Sequence, residues 1–241
     1  MLGKQKYIED VLKSETSQRT LSVNILLCVI SFILFMILPS AFYAIFQSFI
    51  KNEMTCEILA RILSIFAISS IYYKDLQKEF KELKRKKLYK LGQAFKYYGI
   101  GLAIMMFSNL ILIILFKDIS TNETEVRNLL LGNPLPMLFM ISILAPVIEE
   151  IVFRKSMSPI FKNKYLFAIS TGLLFGLAHL MTDFLSPGFE MYRLLYVIPY
   201  GSLGFAFALM NRNCNSTFAS IFIHCLHNTL TALLILSQGG L

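Results

Sequence analysis

The chain has 241 residues, of which 56% are hydrophobic and only 16% are charged, and its formal net charge is +8. This is not the composition of a soluble protein, and 21 Phe together with long Leu and Ile runs exclude a disordered chain. Four scattered Cys exclude a disulfide-stapled secreted module. Most of the positive charge sits in short segments between apolar runs, so it favours membrane lipids over nucleic acid as the partner.

Apolar runs long enough to cross a bilayer recur along the chain. Because a hydrocarbon core of about 30 Å needs roughly 20 helical residues, the sequence predicts an all-α, polytopic transmembrane bundle of about seven spans. Their expected bounds are 21–43, 55–73, 95–116, 134–158, 164–182, 191–210 and 215–237. The first uncharged run continues to Ile50, so Pro39 allows a second interpretation, in which an eighth short element lies at the interface.

Charge between the spans predicts the orientation. The densest basic stretch lies in residues 74–96, and the positive-inside rule places this loop in the cytoplasm, together with the polar N-terminal residues 1–20. We interpret the first apolar run as a retained helix rather than a signal peptide. Asp183 and Arg193 fall at the outer edge, where we expect them to be solvated. The Lys-, Ile- and Phe-rich composition favours a bacterial plasma membrane.

Ionisable side chains at membrane depth are costly, so each one marks a candidate functional site. The fourth span carries Glu149 and Glu150, followed by Arg154. Glu150 and Arg154 are four residues apart on one helix face, so we expect a charge-assisted pair that leaves Glu149 about 100° away without a local partner. In the alternative interpretation the span stops near Ile148, and all three charges are ordinary juxtamembrane residues.

The three histidines of the chain, His179, His224 and His227, all fall within predicted spans rather than in polar loops. His224 and Asn228 are four residues apart and therefore share a helix face. Small residues just before His179 let a neighbouring backbone approach closely. His227 is open to three interpretations: a supporting residue, a rim contact or a helix-packing residue.

Three short motifs follow one another on the late spans: Glu149-Glu150 with Arg154, Phe175 with His179, and His224 with Asn228. In this order and spacing they resemble the motif set of the CAAX protease and bacteriocin-processing family of intramembrane glutamic endopeptidases, also called Abi proteins. The resemblance covers residues 134–237, which we expect to form the catalytic core. Residues 21–133 are expected to form a variable transmembrane region that includes the basic loop.

The resemblance implies an endopeptidase that acts on a membrane-associated peptide or protein and needs no cofactor. It implies that Glu149 and His179 activate a water molecule, and that His224 and Asn228 stabilise the oxyanion. These residue types agree with the chemistry, because peptide hydrolysis needs a base for water and donors for the developing oxyanion. Supporting roles are expected for Glu150, Arg154 and Phe175.

Three other interpretations stay open. Glu149, His179 and His224 are the candidate ligands if hydrolysis depends on zinc, although the HExxH spacing is absent. A non-catalytic immunity or scaffold protein would use the same charges as interhelical contacts while it binds a peptide or a sensor. A transporter or channel would use the buried acids and histidines as a proton relay.

Overall fold

A computed structural model describes residues 19–85, 87–186 and 188–239, and for residues 83–85 and 87–90 the backbone alone. Within these ranges all regular secondary structure is helical. The α-helices are α1 (Leu21–Gln47), α2 (Glu53–Ile71), α3 (Tyr73–Arg85), α4 (Lys87–Phe116), α5 (Thr121–Gly132), α6 (Pro134–Phe139), α7 (Ala145–Glu150), α8 (Lys164–His179), α9 (Met181–Leu185), α10 (Val197–Cys214) and α11 (Thr217–Gln238). The predicted all-α class is confirmed.

Side-chain caps explain where several of these helices begin. The side-chain oxygens of Thr20, Asn52, Ser120 and Asn163 accept hydrogen bonds from backbone N–H groups in the first turns of α1, α2, α5 and α8. Such caps satisfy donors that have no partner inside the helix. The cap residues therefore set the N-terminal bounds of these helices.

Among the described residues, six helical segments are long and apolar enough to cross a membrane, which indicates a multi-pass integral membrane protein. They are Leu21–Gln47, Glu53–Ile71, Leu91–Phe116, Pro134–Ile160, Met191–Cys214 and Thr217–Gln238. The predicted fifth span, residues 164–182, is the 16-residue helix α8 followed by the short helix α9. The ends of α8 lie at opposite ends of the bundle, because Lys162 lines one cavity with Arg212 and His179 lines another with Tyr200. A seventh crossing through α8 agrees with these contacts.

The predicted eighth element is wrong. Helix α1 runs without interruption through Pro39 to Gln47, so this proline does not separate a span from an interfacial piece. Proline removes one backbone donor, but the 27-residue helix has enough remaining hydrogen bonds on both sides to continue. The bulky apolar residues of α1 are largely exposed, as expected of a helix that faces lipid.

The basic segment 74–96, predicted as a cytoplasmic connection that forms a solvated helical extension, is helical in its described residues 74–85 and 87–96. It forms the amphipathic helix α3 and the first turns of α4. Charged side chains lie on one side of α3, while Phe80 packs edge-on against Phe218 at the start of α11. The division into a variable region and a catalytic core stays a prediction. Residues 1–18 of the predicted N-terminal segment lie outside the described residues.

Candidate active site

The fourth crossing is a composite helix whose hydrogen-bond pattern changes twice. Between α6 and α7 lies a π-helical turn, Met140–Leu144, and after α7 lies a second one, Ile151–Lys155. The six residues of α7 end in Glu149 and Glu150. Each π turn rotates the following residues relative to a regular α-helix, and such turns are frequent at functional sites.

Pro146 links the first π turn to α11. The Ala145 N–H donates to the Met140 carbonyl, and Pro146, the next residue, has no N–H to donate. The Ile141 carbonyl is thus left without its usual backbone donors, and Asn228 Nδ2 donates to it at 3.0 Å. This bond orients the Asn228 side chain and leaves the second hydrogen of its amide for another acceptor.

Glu150 is held by two buried partners. Its Oε2 lies 3.3 Å from Arg154 Nε, and both side chains are fully buried, so the predicted ion pair is present. Its Oε1 lies 3.0 Å from Nδ1 of His224. Because a carboxylate only accepts hydrogen bonds, Nδ1 of His224 is the donor, and Nε2 is the ring nitrogen left to face the site. The juxtamembrane interpretation of Glu150 and Arg154 is therefore wrong.

Aromatic rings surround the Arg154 guanidinium. Its Cζ lies 4.6 Å from the centroid of Phe175, 5.6 Å from that of Phe207 and 5.8 Å from that of Phe153. One of its terminal nitrogens also donates to the Gly204 carbonyl at 3.2 Å. A guanidinium suits such a place, because it combines ring stacking with directed hydrogen bonds.

Phe175 also separates the two histidines that the motifs single out. Its ring centroid lies 4.4 Å from that of His179 and 5.7 Å from that of His224. The Phe175 carbonyl lies 2.9 Å from His179 Nδ1. A carbonyl is an acceptor only, so Nδ1 of a neutral His179 carries the hydrogen and Nε2 carries the lone pair.

Close packing of α8 against α10 positions His179. A Cβ built on Gly172 would lie 2.8 Å from the Gly201 carbonyl oxygen, and one built on Gly176 would lie 2.8 Å from that of Val197. Any side chain at either position would push the two backbones apart. The expected close approach at the small residues before His179 is confirmed.

Glu149 faces a cavity of about 510 Å³, which is also lined by His179, His227 and Asn228. Its Oε2 is buried and has no hydrogen-bond partner among the described residues. The nearest cationic candidate is His224, whose Nε2 lies 3.8 Å from that oxygen. His224 is itself only 3% exposed, so its link to the cavity is its contact with Glu149.

Of the four predicted catalytic residues, Glu149, His179 and Asn228 line one cavity, whereas His224 does not line it and contacts Glu149. His224 and Asn228 share a face of α11, but His224 contacts the two glutamates whereas Asn228 contacts the first π turn. No group of three or more His, Cys, Asp or Glu side chains that could hold a metal ion occurs within the described ranges. The alternative zinc ligands Glu149, His179 and His224 do not form such a group.

Residues 131–230 match the protein-family model described as type II CAAX prenyl endopeptidase, Rce1-like. The match covers 100 of the 241 residues, and over this CAAX protease segment the chain is similar to that family. The resemblance predicted from the three motifs is confirmed, and the matched segment contains all of the motif residues. The matched family is one of endopeptidases, which supports a protease. Neither the curated proteins nor the solved structures contain a significant match to the chain.

Tyr200 lies inside the CAAX protease segment but outside its three motifs. Its ring stacks on His179 with centroids 4.6 Å apart. Its hydroxyl lies 2.7 Å from Ser120 Oγ and 3.3 Å from Asn122 Nδ2, at the start of α5. Sequence reasoning missed this residue, because a tyrosine in the middle of the predicted span 191–210 resembles an ordinary packing residue.

The expectation that Asp183 and Arg193 are solvated is wrong. Asp183 is fully buried, and its Oδ1 lies 2.8 Å from an Arg193 nitrogen and accepts from the Thr121 hydroxyl at 2.7 Å. Arg193 also pairs with Asp118 at 2.5 Å. These contacts tie the loop after α4 and the start of α5 to the segment between α9 and α10. The network forms because α5 folds over the end of the bundle and removes these charges from water.

His227, for which three roles were open, takes a place beside the cavity. Its Nδ1 lies 3.1 Å from the Tyr98 hydroxyl of α4, and the two rings pack edge-on. This contact joins α11 to α4 beside the cavity.

Proposed function

We propose that the chain is an intramembrane glutamic endopeptidase that hydrolyses a peptide bond of a membrane-associated peptide or protein. The observation that carries this proposal is the contrast between the two adjacent glutamates. Glu150 is fully buried between Arg154 and His224, whereas Glu149 lines the cavity, and its Oε2 accepts no hydrogen bond in the described part of the chain. A partly exposed carboxylate that faces a cavity without a committed donor can accept a proton from a water molecule there.

In this proposal Glu149 and His179 activate the water molecule. Both side chains line the same cavity, and both present acceptors: the carboxylate of Glu149 and the lone pair on Nε2 of His179. A water molecule between them donates one hydrogen to each, which turns its oxygen lone pair towards the substrate carbonyl. As the water oxygen bonds to the carbonyl carbon, its proton passes to Glu149.

Asn228 and His224 stabilise the oxyanion in this proposal. Asn228 is oriented by the Ile141 carbonyl and keeps one amide hydrogen for the cavity, whereas His224 donates from Nε2 as an imidazolium, because its Nδ1 hydrogen is committed to Glu150. The tetrahedral intermediate then collapses. The bond between carbon and nitrogen breaks, and Glu149 returns its proton to the leaving amine, so the products are a carboxylic acid and an amine.

The test is cleavage of a quenched fluorescent transmembrane peptide by the purified protein in liposomes. We expect Glu149→Gln to lower the rate by about 10²- to 10⁴-fold, the range for removal of a general base. The matched control is Glu53→Gln, an exposed carboxylate in the first turn of α2, which we expect to stay within about twofold of wild type. Equal rates for wild type and Glu149→Gln would remove the catalytic proposal.

Two further arms separate the alternatives. A strong zinc chelator is expected to leave the rate unchanged, and loss of cleavage with the chelator would favour the zinc mechanism. Cells that carry Glu149→Gln are expected to lose any resistance or signalling phenotype of the wild type. An unchanged phenotype would favour the immunity or scaffold function.

A further inference from the structure

The candidate catalytic cavity collects residues from one end of the bundle. Helix α2 contributes Arg61 from its first half, and α4 contributes Asn109 from its last third. Helix α10 contributes Tyr200 from its first turn, and α11 contributes Thr231 and Ile235 from its last turns. Because neighbouring helices run in opposite directions, all of these positions lie at the end of the bundle away from α3.

A second cavity of about 580 Å³ occupies the opposite end. It is lined by Asp75 and Glu79 of α3, by Lys155 at the end of the composite helix, and by Arg212 and Ser216 between α10 and α11. The two cavities therefore mark the two membrane faces of the protein.

Charge distinguishes these two faces. The segments at the α3 end, residues 74–96, 155–164 and 212, carry Lys and Arg in large excess over acidic residues. The segments at the other end, residues 51–61, 117–127 and 183–193, carry more acidic than basic residues. Lys and Arg concentrate in the cytoplasmic segments of membrane proteins. The α3 end is accordingly the cytoplasmic end, and the catalytic cavity faces the other side.

Helix α5 lies at the mouth of that cavity and lines it with Asn122, Glu125 and Leu129. It is held there by the Asp183–Arg193 pair and by the contacts of Tyr200 with the start of the helix. Glu125 is exposed as well as lining the cavity, so the mouth is polar and open to water rather than closed by apolar side chains.

We propose that the catalytic cavity opens on the extracytoplasmic side, so that the substrate is a peptide segment presented from the outer face rather than a cytoplasmic C-terminus. This inference about the substrate rests on the proposed peptidase function. The direction in which the cavity opens rests on geometry and charge alone.

Cysteine labelling tests the direction without any need for catalysis. Single cysteines are introduced at two exposed positions, Glu125→Cys on α5 and Lys81→Cys on α3, in a background whose four native cysteines are replaced by Ala. Thr124→Cys and Lys74→Cys form a second exposed pair, in case one substitution impairs folding. Intact cells and permeabilised cells are treated with a membrane-impermeant maleimide.

We expect the α5 cysteines to be labelled in intact cells, and the α3 cysteines only after permeabilisation. The reverse pattern, or labelling of the α3 cysteines in intact cells, would overturn the inference. The same pattern is expected in the Glu149→Gln background. If the cysteines are labelled as expected but the wild-type protein cleaves no peptide, the peptidase proposal fails and the inferred direction of the cavity stands.

A substrate arm completes the test. A membrane-impermeant peptide that the liposome assay has shown to be cleaved is added to right-side-out and to inverted membrane vesicles. We expect cleavage by right-side-out vesicles alone. Cleavage by inverted vesicles alone would show a cytoplasmic opening and overturn the inference, although the peptidase function itself would stand.

Discussion

The two ends of the bundle carry cavities of similar size, about 510 and 580 Å³, and both are lined by charged side chains. At the α3 end Glu79 is satisfied, because it binds Lys155 at 2.6 Å and accepts from the Thr217 N–H at the start of α11. At the other end Glu149 keeps an oxygen without a hydrogen-bond partner within the described residues. The comparison between these two cavity carboxylates teaches that the number of charges in a cavity does not identify a functional acid, whereas the commitment of each carboxylate to its partners separates Glu79 from Glu149.

The largest expected effect concerns activity at Glu149. Glu149→Gln should lower peptidase turnover by about 10³-fold, since a general base contributes 10²- to 10⁴-fold. The folded state should lose little stability, because this carboxylate forms no ion pair with Lys or Arg among the described residues. Turnover and the unfolding midpoint in detergent are measured on the same preparation. A large fall in the midpoint would mean that Glu149 is structural, like Glu79.

The next effect concerns stability at the buried ion pair. Arg154→Met should lower the free energy of unfolding by about 3–5 kcal/mol, because it leaves Glu150 as a buried charge with one partner fewer. The double variant Glu150→Gln with Arg154→Met removes both charges and should recover much of that loss. Denaturation of the two variants in mixed micelles checks the comparison. If the double variant is no more stable than the single one, the cost lies in lost packing on Phe175 and not in the unpaired charge.

Close packing of α8 against α10 gives a third test. Gly172→Ala should lower the free energy of unfolding by about 1–3 kcal/mol, the usual cost of overpacking, because the new methyl group would lie 2.8 Å from the Gly201 carbonyl oxygen. The matched control is Gly99→Ala in α4, where no atom lies within 4 Å of the new Cβ. The control should be neutral or stabilising. Equal unfolding midpoints for the two variants would contradict the close approach of the helices.

A smaller effect is expected at Glu79, the satisfied acid of the cavity at the α3 end. Glu79→Gln weakens the contact with Lys155 and the cap of α11, and it should cost about 1–2 kcal/mol of stability, as for other partly exposed caps and ion pairs. Turnover per folded molecule should stay near the wild-type value. A loss of turnover as large as that of Glu149→Gln would end the distinction between the two cavities.

How much of this could be predicted depended on whether the relevant contact is local in sequence. The Glu150–Arg154 pair and the shared face of His224 and Asn228 follow from a four-residue spacing on a helix, and the structure has both. The contact of Asn228 with Ile141 joins residues 87 positions apart, and it depends on a π turn that no periodicity reveals.

The network of contacts around Asp183 and Arg193 could not be predicted for a similar reason. Asp183 and Arg193 look solvated in sequence because they follow the ends of apolar runs. They are removed from water only when α5, which is too short and polar to be taken for a span, folds over the end of the bundle. The basic segment 74–96 is the helical extension that its charge predicts, but the packing of Phe80 on Phe218 joins residues far apart in sequence and could not be predicted.

The smallest effect is expected at Tyr200, and it tests whether the ring of this residue orients His179. Tyr200→Phe keeps the ring that stacks on His179 but loses the hydroxyl contacts with Ser120 and Asn122, which are worth about 0.5–1.5 kcal/mol each. Turnover should fall only several-fold. Tyr200→Leu removes the stacking as well and should reduce turnover further while leaving the His179 contact with Phe175 in place. If the Tyr200→Leu and Tyr200→Phe variants have equal turnover, the ring does not orient His179, and Tyr200 only holds α5 at the cavity.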